Sequence, residues 1–301
     1  MNSKTNEHII QQLENELFEL RNSLSYKIGL FISYPARKIY DFLEAYFPIL
    51  SSNRKEKLYH KRIVNRYQQR NPNVIFTFIL NNHDYLKEPS IISPGWDYLC
   101  FTDNFALKSN VWQIVHLNEL DFIDFPQSTK KRSMLIMILY YKFISKKYDI
   151  VISIGGQIKI NCNLNDIIEE TINSKKIDLS ICRHPLRDCV YEEAEACKFY
   201  NKDSFNVIDM QMQRYRNDNY PEHAKLYSTG IMIRKNRSLR LKKVCILWSK
   251  ELIEGSQRDQ LSLNYSIWKT KFKLRIKELE RSKYLDRDET LPFVLYDHIS
   301  K

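Results

Sequence analysis

Apolar and polar positions change rhythm along this chain. Ile10, Leu13, Leu17, Leu20 and Leu24 recur at alternating spacings of three and four, the seam of a coiled coil about two heptads long. From Val74 onward the rhythm is different. VIFTFIL (74–80), DYLCFTD (97–103), VWQIVHL (111–117), YDIVISI (148–154) and KIDLSIC (176–182) are short apolar runs, rich in β-branched and aromatic residues. Runs of that length and content predict buried strands. Between them, Ser128 to Ser145 and Asn165 to Asn173 read as helices, the second capped from the Asn163–Asn165 region. Leu226 to Arg234 predicts a further strand, Leu239 to Ile253 a helix with Trp248, and another helix follows Ser256. Repeated strand–helix alternation predicts an α/β domain: a mainly parallel sheet with helices on both faces.

The flanks read differently. Leu24 to Leu50 is rich in Leu, Ile, Phe and Tyr but is interrupted by Lys27, Arg37, Lys38 and Asp41. Too charged to span a bilayer, it suits either a membrane interface or a helical hairpin packed on the main domain. Arg54 to Arg70 carries seven basic residues against Glu56. That run is either a solvated connector or a contact for anionic lipid. The expected organisation is therefore a helical appendage over 1–70, a main domain over 71–283 and a polar tail over 284–301 with one apolar patch, LPFVLY. The seam within residues 10–24 serves either a homo-oligomer contact or packing against the main domain.

Composition narrows the partners. A net charge of +11 favours anions: nucleotide diphosphates, acidic glycans or anionic lipid. Nucleic acid finds no support, because the densest basic run holds only Tyr59 and Tyr67 for stacking and no RNA-binding signature occurs. Only six glycines are present, with no GxGxxG or Walker pattern. The six cysteines are scattered without a CxxC pair, which predicts reduced thiols and a cytoplasmic protein. The polar N-terminus is not a secretory signal, and no run of about 18 uncharged apolar residues occurs. The expected location is cytoplasmic, peripheral at the inner face of the membrane.

Three places carry candidate chemistry. The stretch Arg183 to Cys197, RHPLRDCVYEEAEAC, packs Arg183, His184, Arg187 and Asp188 between a strand and a helix. Arginine forks and the free N–H groups of a helix start suit a phosphate. The competing reading makes Asp188 a helix cap and the arginines solvated. Asp103 follows the second strand directly, where a carboxylate can take hydrogen bonds from a ribose or shape the turn. In SQRDQLS, Arg258, Asp259 and Gln260 offer a cation, a base and an amide; the competing reading is a capping box from Ser256 to Asp259.

RHPLRDCVYEEAEAC, SQRDQLSLNY (256–265) and YLCFTDN (98–104) together resemble the glycosyltransferase-like family long labelled domain of unknown function 616, with bacterial surface-polysaccharide and plant members. The resemblance runs from about Val74 to Trp268. It implies a GT-A-type, Rossmann-like fold and transfer of a hexose from a nucleotide sugar to a surface glycan acceptor. In that frame Arg183, His184, Arg187 and Arg258 hold the diphosphate, with Asp188 and Gln260 among the substrate contacts. Asp103 holds the nucleoside, and Asp259 serves the acceptor hydroxyl, with Glu192 and Glu193 as competitors for that role. The resemblance also implies an Asp-Gly pair at the end of the fourth strand, binding Mn²⁺ or Mg²⁺. This chain has Gly155 there, and Met134, Met137 and Tyr141 where basic residues are implied on the preceding helix. Weak or no metal dependence is the expectation. A catalytically inactive binding subunit of a polysaccharide-assembly system is the alternative.

Overall fold

The computed structural model describes residues 70–299, apart from 121, 122, 124, 173–175 and 272. The appendage readings, including the seam at 10–24 and the interfacial stretch at 24–50, lie outside the described residues.

Seven strands form the central sheet. They are β1 (Asn73–Ile79), β2 (Trp96–Thr102), β3 (Gln113–His116), β4 (Ile150–Ile154), β6 (Leu179–Arg183), β7 (Tyr227–Lys235) and β8 (Ile276–Leu279). Their order is β3-β2-β1-β4-β7-β6-β8. All neighbours are parallel except at β7, which runs antiparallel to both β4 and β6. The arrangement is a mainly parallel, GT-A-like relative of the Rossmann fold.

The pleat explains the two layers. Alternate residues of β1 point to opposite faces: Val74, Phe76 and Phe78 enter one core, Ile75 and Ile79 the other. The first core is closed by α1 (Thr129–Ile138), α5 (Leu239–Glu254) and Leu263 of α6 (Gln260–Lys269). The second is closed by α2 (Leu164–Thr171) and a small three-stranded sheet. A third cluster joins α3 (Val190–Phe199), α4 (Phe205–Asn217) and α6, with the Tyr215 and Tyr265 rings stacked 3.7 Å apart. Side-chain caps begin three helices: Ser128 on α1, Asn163 on α2 and Ser238 on α5 each accept a bond from a first-turn N–H.

Three elements differ from the sequence expectations. The helix expected over Ser128 to Ser145 stops at Ile138. Tyr140–Lys142 then forms a 3-10 turn that seats the buried Tyr140 ring under the Arg234 guanidinium, 4.7 Å away. Residues 284–301, expected as a polar tail, follow directly on α7 (Arg281–Tyr284), which ends at their first residue, and hold β9 (Leu285–Asp286) and β10 (Phe293–Leu295). These strands join β5 (Ile158–Ile160), with Phe293 fully buried. Asp188 caps nothing: Cys189 occupies the cap position of α3, and Asp188 Oδ1 faces His223 Nδ1 at 2.7 Å. Among the described residues no helix is long and apolar enough to cross a membrane.

Candidate active site

Chain order places the site. From β1 the sheet grows one way to β2 and β3; the chain then returns to lay β4 on the other side of β1. At such a reversal the connections leave in opposite directions and open a crevice outside the carboxyl ends of the strands. A cavity of about 490 Å³ lies there. Its wall includes Phe78 of β1, Leu80 and Asn81 just after it, Gly155 and Gly156 after β4, and Ser228 to Gly230 of β7. That volume falls within the usual range for small-molecule sites, about 300–1,000 Å³.

Gly156 makes the crevice possible. A Cβ there would meet the Phe78 carbonyl oxygen at 2.8 Å and Asp84 Oδ2 at 3.0 Å, so only glycine lets β4 end this close to β1. Gly155 differs: a Cβ there would meet the flexible amide end of Gln157, 2.8 Å from Oε1. The Gln157 amide thus stands beside the place where the resemblance implies a carboxylate. Residues 155–157 themselves carry no anionic oxygen, and a Mg²⁺ or Mn²⁺ site built on their side chains does not fit.

Arg258, Asp259 and Gln260 all line the cavity. Asp259 is buried and sits at the cap position of α6, but its carboxylate makes no cap bond. It accepts instead from the Thr229 hydroxyl. Its backbone is held from behind, where Trp248 Nε1 donates to its carbonyl at 3.1 Å. Ser256 does not complete a capping box either: its hydroxyl donates to Asp203 Oδ2 at 2.7 Å and accepts from the Arg258 N–H. Arg258 Nε is buried without a hydrogen-bond partner among the described residues, and one terminal nitrogen reaches Gln260 Oε1 at 3.4 Å. The guanidinium also contacts the Cys197 thiol, and its five N–H donors exceed these partners, so donors are left for an anion.

The other expected residues stand apart from the cavity wall. Arg183 pairs with Glu278. Arg187 Nε donates to Glu193 Oε2 at 2.6 Å, and His184 Nε2 lies 3.6 Å from the same carboxylate. His184 Nδ1 accepts from the Arg187 backbone N–H at 3.1 Å. Burial lowers the His184 pKa, against the opposing pull of Glu193, which favours the neutral ring at pH 7. This cluster backs the wall, close enough for Arg258 and Arg281 to act on His184. Glu192 is exposed, beside Asp188 and His223. Asp103 braces the first loop: its Oδ1 accepts from the Asn81 N–H at 2.8 Å. Met134 and Met137 do line the cavity, whereas Tyr141 packs on Tyr140.

Sequence reasoning passed over several wall residues. Lys130 lines the cavity, and desolvation there lowers its pKa, with Asp259 and Asp84 pulling the other way. Arg281 enters from the start of α7, and His298 from beyond β10. His83 and Asp84 enter from the loop after β1, which Asp103 braces. The cysteines are free, and burial pushes the Cys100 and Cys245 thiols up to about 12, so they behave as small apolar groups rather than nucleophiles.

Comparison with known proteins bears on this cavity. The family model described as the TOD1/MUCI70 glycosyltransferase-like domain matches residues 60–287. A curated protein of Arabidopsis thaliana, "Probable hexosyltransferase MUCI70", is 26% identical over 165 residues. That stretch is 52% of this chain and 27% of the plant protein, so the chain matches about a quarter of that relative's length.

Proposed function

Because the chain belongs to the TOD1/MUCI70 glycosyltransferase-like family, we propose that the cavity transfers a hexose from a nucleotide sugar to a hydroxyl of a glycan acceptor. The observation that carries this reading is the convergence of a buried carboxylate, Asp259, and an under-bonded guanidinium, Arg258, at the switch-point crevice. In net, the bond between the anomeric carbon and the phosphate oxygen breaks, and the diphosphate leaves with the electron pair. A bond from the acceptor oxygen to the anomeric carbon forms, and the hydroxyl proton passes to Asp259. Arg258, helped by Lys130, offsets the charge that develops on the leaving diphosphate. Thr229, by donating to Asp259, fixes which carboxylate oxygen faces the acceptor.

The bare end of β4 favours a second reading, a donor-binding or glycan-binding subunit that has lost transfer. Calorimetry with a panel of nucleotide sugars tests both. The transfer reading expects one donor to bind saturably, and Arg258→Ala to weaken it by about 1.5–3 kcal/mol, the usual worth of a hydrogen bond to a charged group. Failure of every common nucleotide sugar to bind the wild-type chain would defeat it and leave a glycan-binding subunit.

A further inference from the structure

We propose that His83, Asp84 and His298 form a binding site for a first-row divalent transition metal on the wall of the same cavity. Its ligands come from the loop after β1 and the segment after β10, both of which pack against the end of β4.

Ligand atoms of the three residues all lie within 4.8 Å of one another. Asp84 Oδ1 is 2.7 Å from His298 Nδ1, and Asp84 Oδ2 is 3.9 Å from His83 Nδ1. The two imidazoles meet edge to face, with centroids 4.4 Å apart. Two imidazole nitrogens and one carboxylate are a donor set for Mn²⁺, Fe²⁺, Co²⁺ or Zn²⁺, not for the oxygen-seeking Mg²⁺ or Ca²⁺. Among the ion pairs of the described residues, Asp84 has these two histidines as its direct partners, while Lys130 acts on it across the cavity.

The backbone assembles the cluster without help from the metal. Asn81 and Asn82 both take left-handed conformations, with φ of 53° and 50°, which turn the chain sharply after β1. Asp103 holds the Asn81 N–H, and His83 N–H closes the turn on the Leu80 carbonyl at 3.1 Å. From the other side, Tyr296 N–H bonds the Gln157 carbonyl at 3.0 Å and Ile299 N–H bonds the His83 carbonyl at 3.3 Å, flanking His298. Gly156 leaves the space that the Asp84 carboxylate occupies. The Asp84 side chain is only 10% exposed, while His83 and His298 stay open at 56% and 48%. The geometry is a mouth-facing site with room for further ligands from solvent or from a diphosphate. The expectation of metal independence concerns the side chains of the β4 end; this cluster brings ligands against that end from the loop after β1 and the segment after β10. The alternative cluster of Asp188, Glu192 and His223 is exposed throughout, with no buried carboxylate at its centre.

That a metal here would contact the donor's diphosphate rests on the transfer reading; the site itself does not. The test is titration of the chelator-treated full chain with Co²⁺, followed by visible absorption and calorimetry, with melting temperature recorded for each variant. Saturable binding of one equivalent is expected, with His83→Ala, Asp84→Asn and His298→Ala each weakening it about tenfold or more. His223→Ala should bind like the wild type. Excess Mg²⁺ should not displace the Co²⁺. Absence of saturable binding, or equal affinity in wild type, His83→Ala and His298→Ala, would overturn the site. Because both histidines are half open to solvent, their alanine variants should melt near wild type, and unfolding does not obscure the result. A chain that binds Co²⁺ but no nucleotide sugar would uphold the site and sink the transfer reading.

Discussion

Glu193 shows how a charged turn can be read correctly as a cluster and still be misassigned in its partners. The sequence shows Arg187, His184 and two glutamates close together, but not which glutamate faces inward. Helical geometry turns Glu193 into the protein and Glu192 to solvent. Glu193 then takes the Arg187 guanidinium, lies beside His184 and accepts from the Cys197 thiol. Arg187 keeps only 24% of its side chain exposed. Arg187→Ala would strand a buried carboxylate, and removing one member of a buried pair costs about 3 kcal/mol. In a domain of this size that is a fall in Tm on the order of 5–10 °C. Differential scanning calorimetry checks it; an unchanged Tm would free Arg187 for a ligand. Asp259 went the other way. Its spacing from Ser256 looks like a capping box, and only the bond from Thr229, thirty residues earlier in the chain, shows the carboxylate turned toward the cavity. His83 and His298 could not be paired from sequence: Asp84 and His298 are 214 positions apart.

Elements were legible where burial gave them length. The five apolar runs from Val74 to Cys182 all became strands of the sheet; β1 is buried along its whole length, as an unbroken apolar run requires, while the edge strand β3 buries only Val115. Helix α1 was read too long for a related reason. Leu139 to Ile144 is as apolar as a helix face, but burial of Tyr140 against Arg234 decides its path, not helical periodicity. Strands β5, β9 and β10 have three, two and three residues, too few for any period to register. The apolar patch LPFVLY was seen; its partner, Ile158–Ile160, lies across the fold. Phe293 tests whether this small sheet belongs to the core. It is fully buried against Ile158 and its neighbours. Phe293→Ala should cost about 3–5 kcal/mol, the usual penalty for such a truncation, and lower Tm by roughly 10 °C. A shift under about 2 °C would return residues 285–295 to the status of a tail.

For the whole molecule, the reversal of strand order beside β1 matters most. It puts the loops after β1 and β4 next to each other, and α6 brings Arg258 and Asp259 to the same crevice. Alternating strands and helices made this architecture legible. The order of the strands, and hence the crevice, was not, because single-strand patterns carry no pairing information. The central claim is that this crevice transfers a sugar with Asp259 as the proton acceptor. Its most direct test is the transfer rate of Asp259→Asn, measured beside donor affinity and Tm. Asparagine keeps the shape and can still accept from Thr229, so donor affinity and Tm should stay near wild type. Transfer should fall by a factor on the order of 10²–10⁴, the usual contribution of general acid–base catalysis. Transfer by Asp259→Asn at the wild-type rate, with donor bound equally well, would contradict the account.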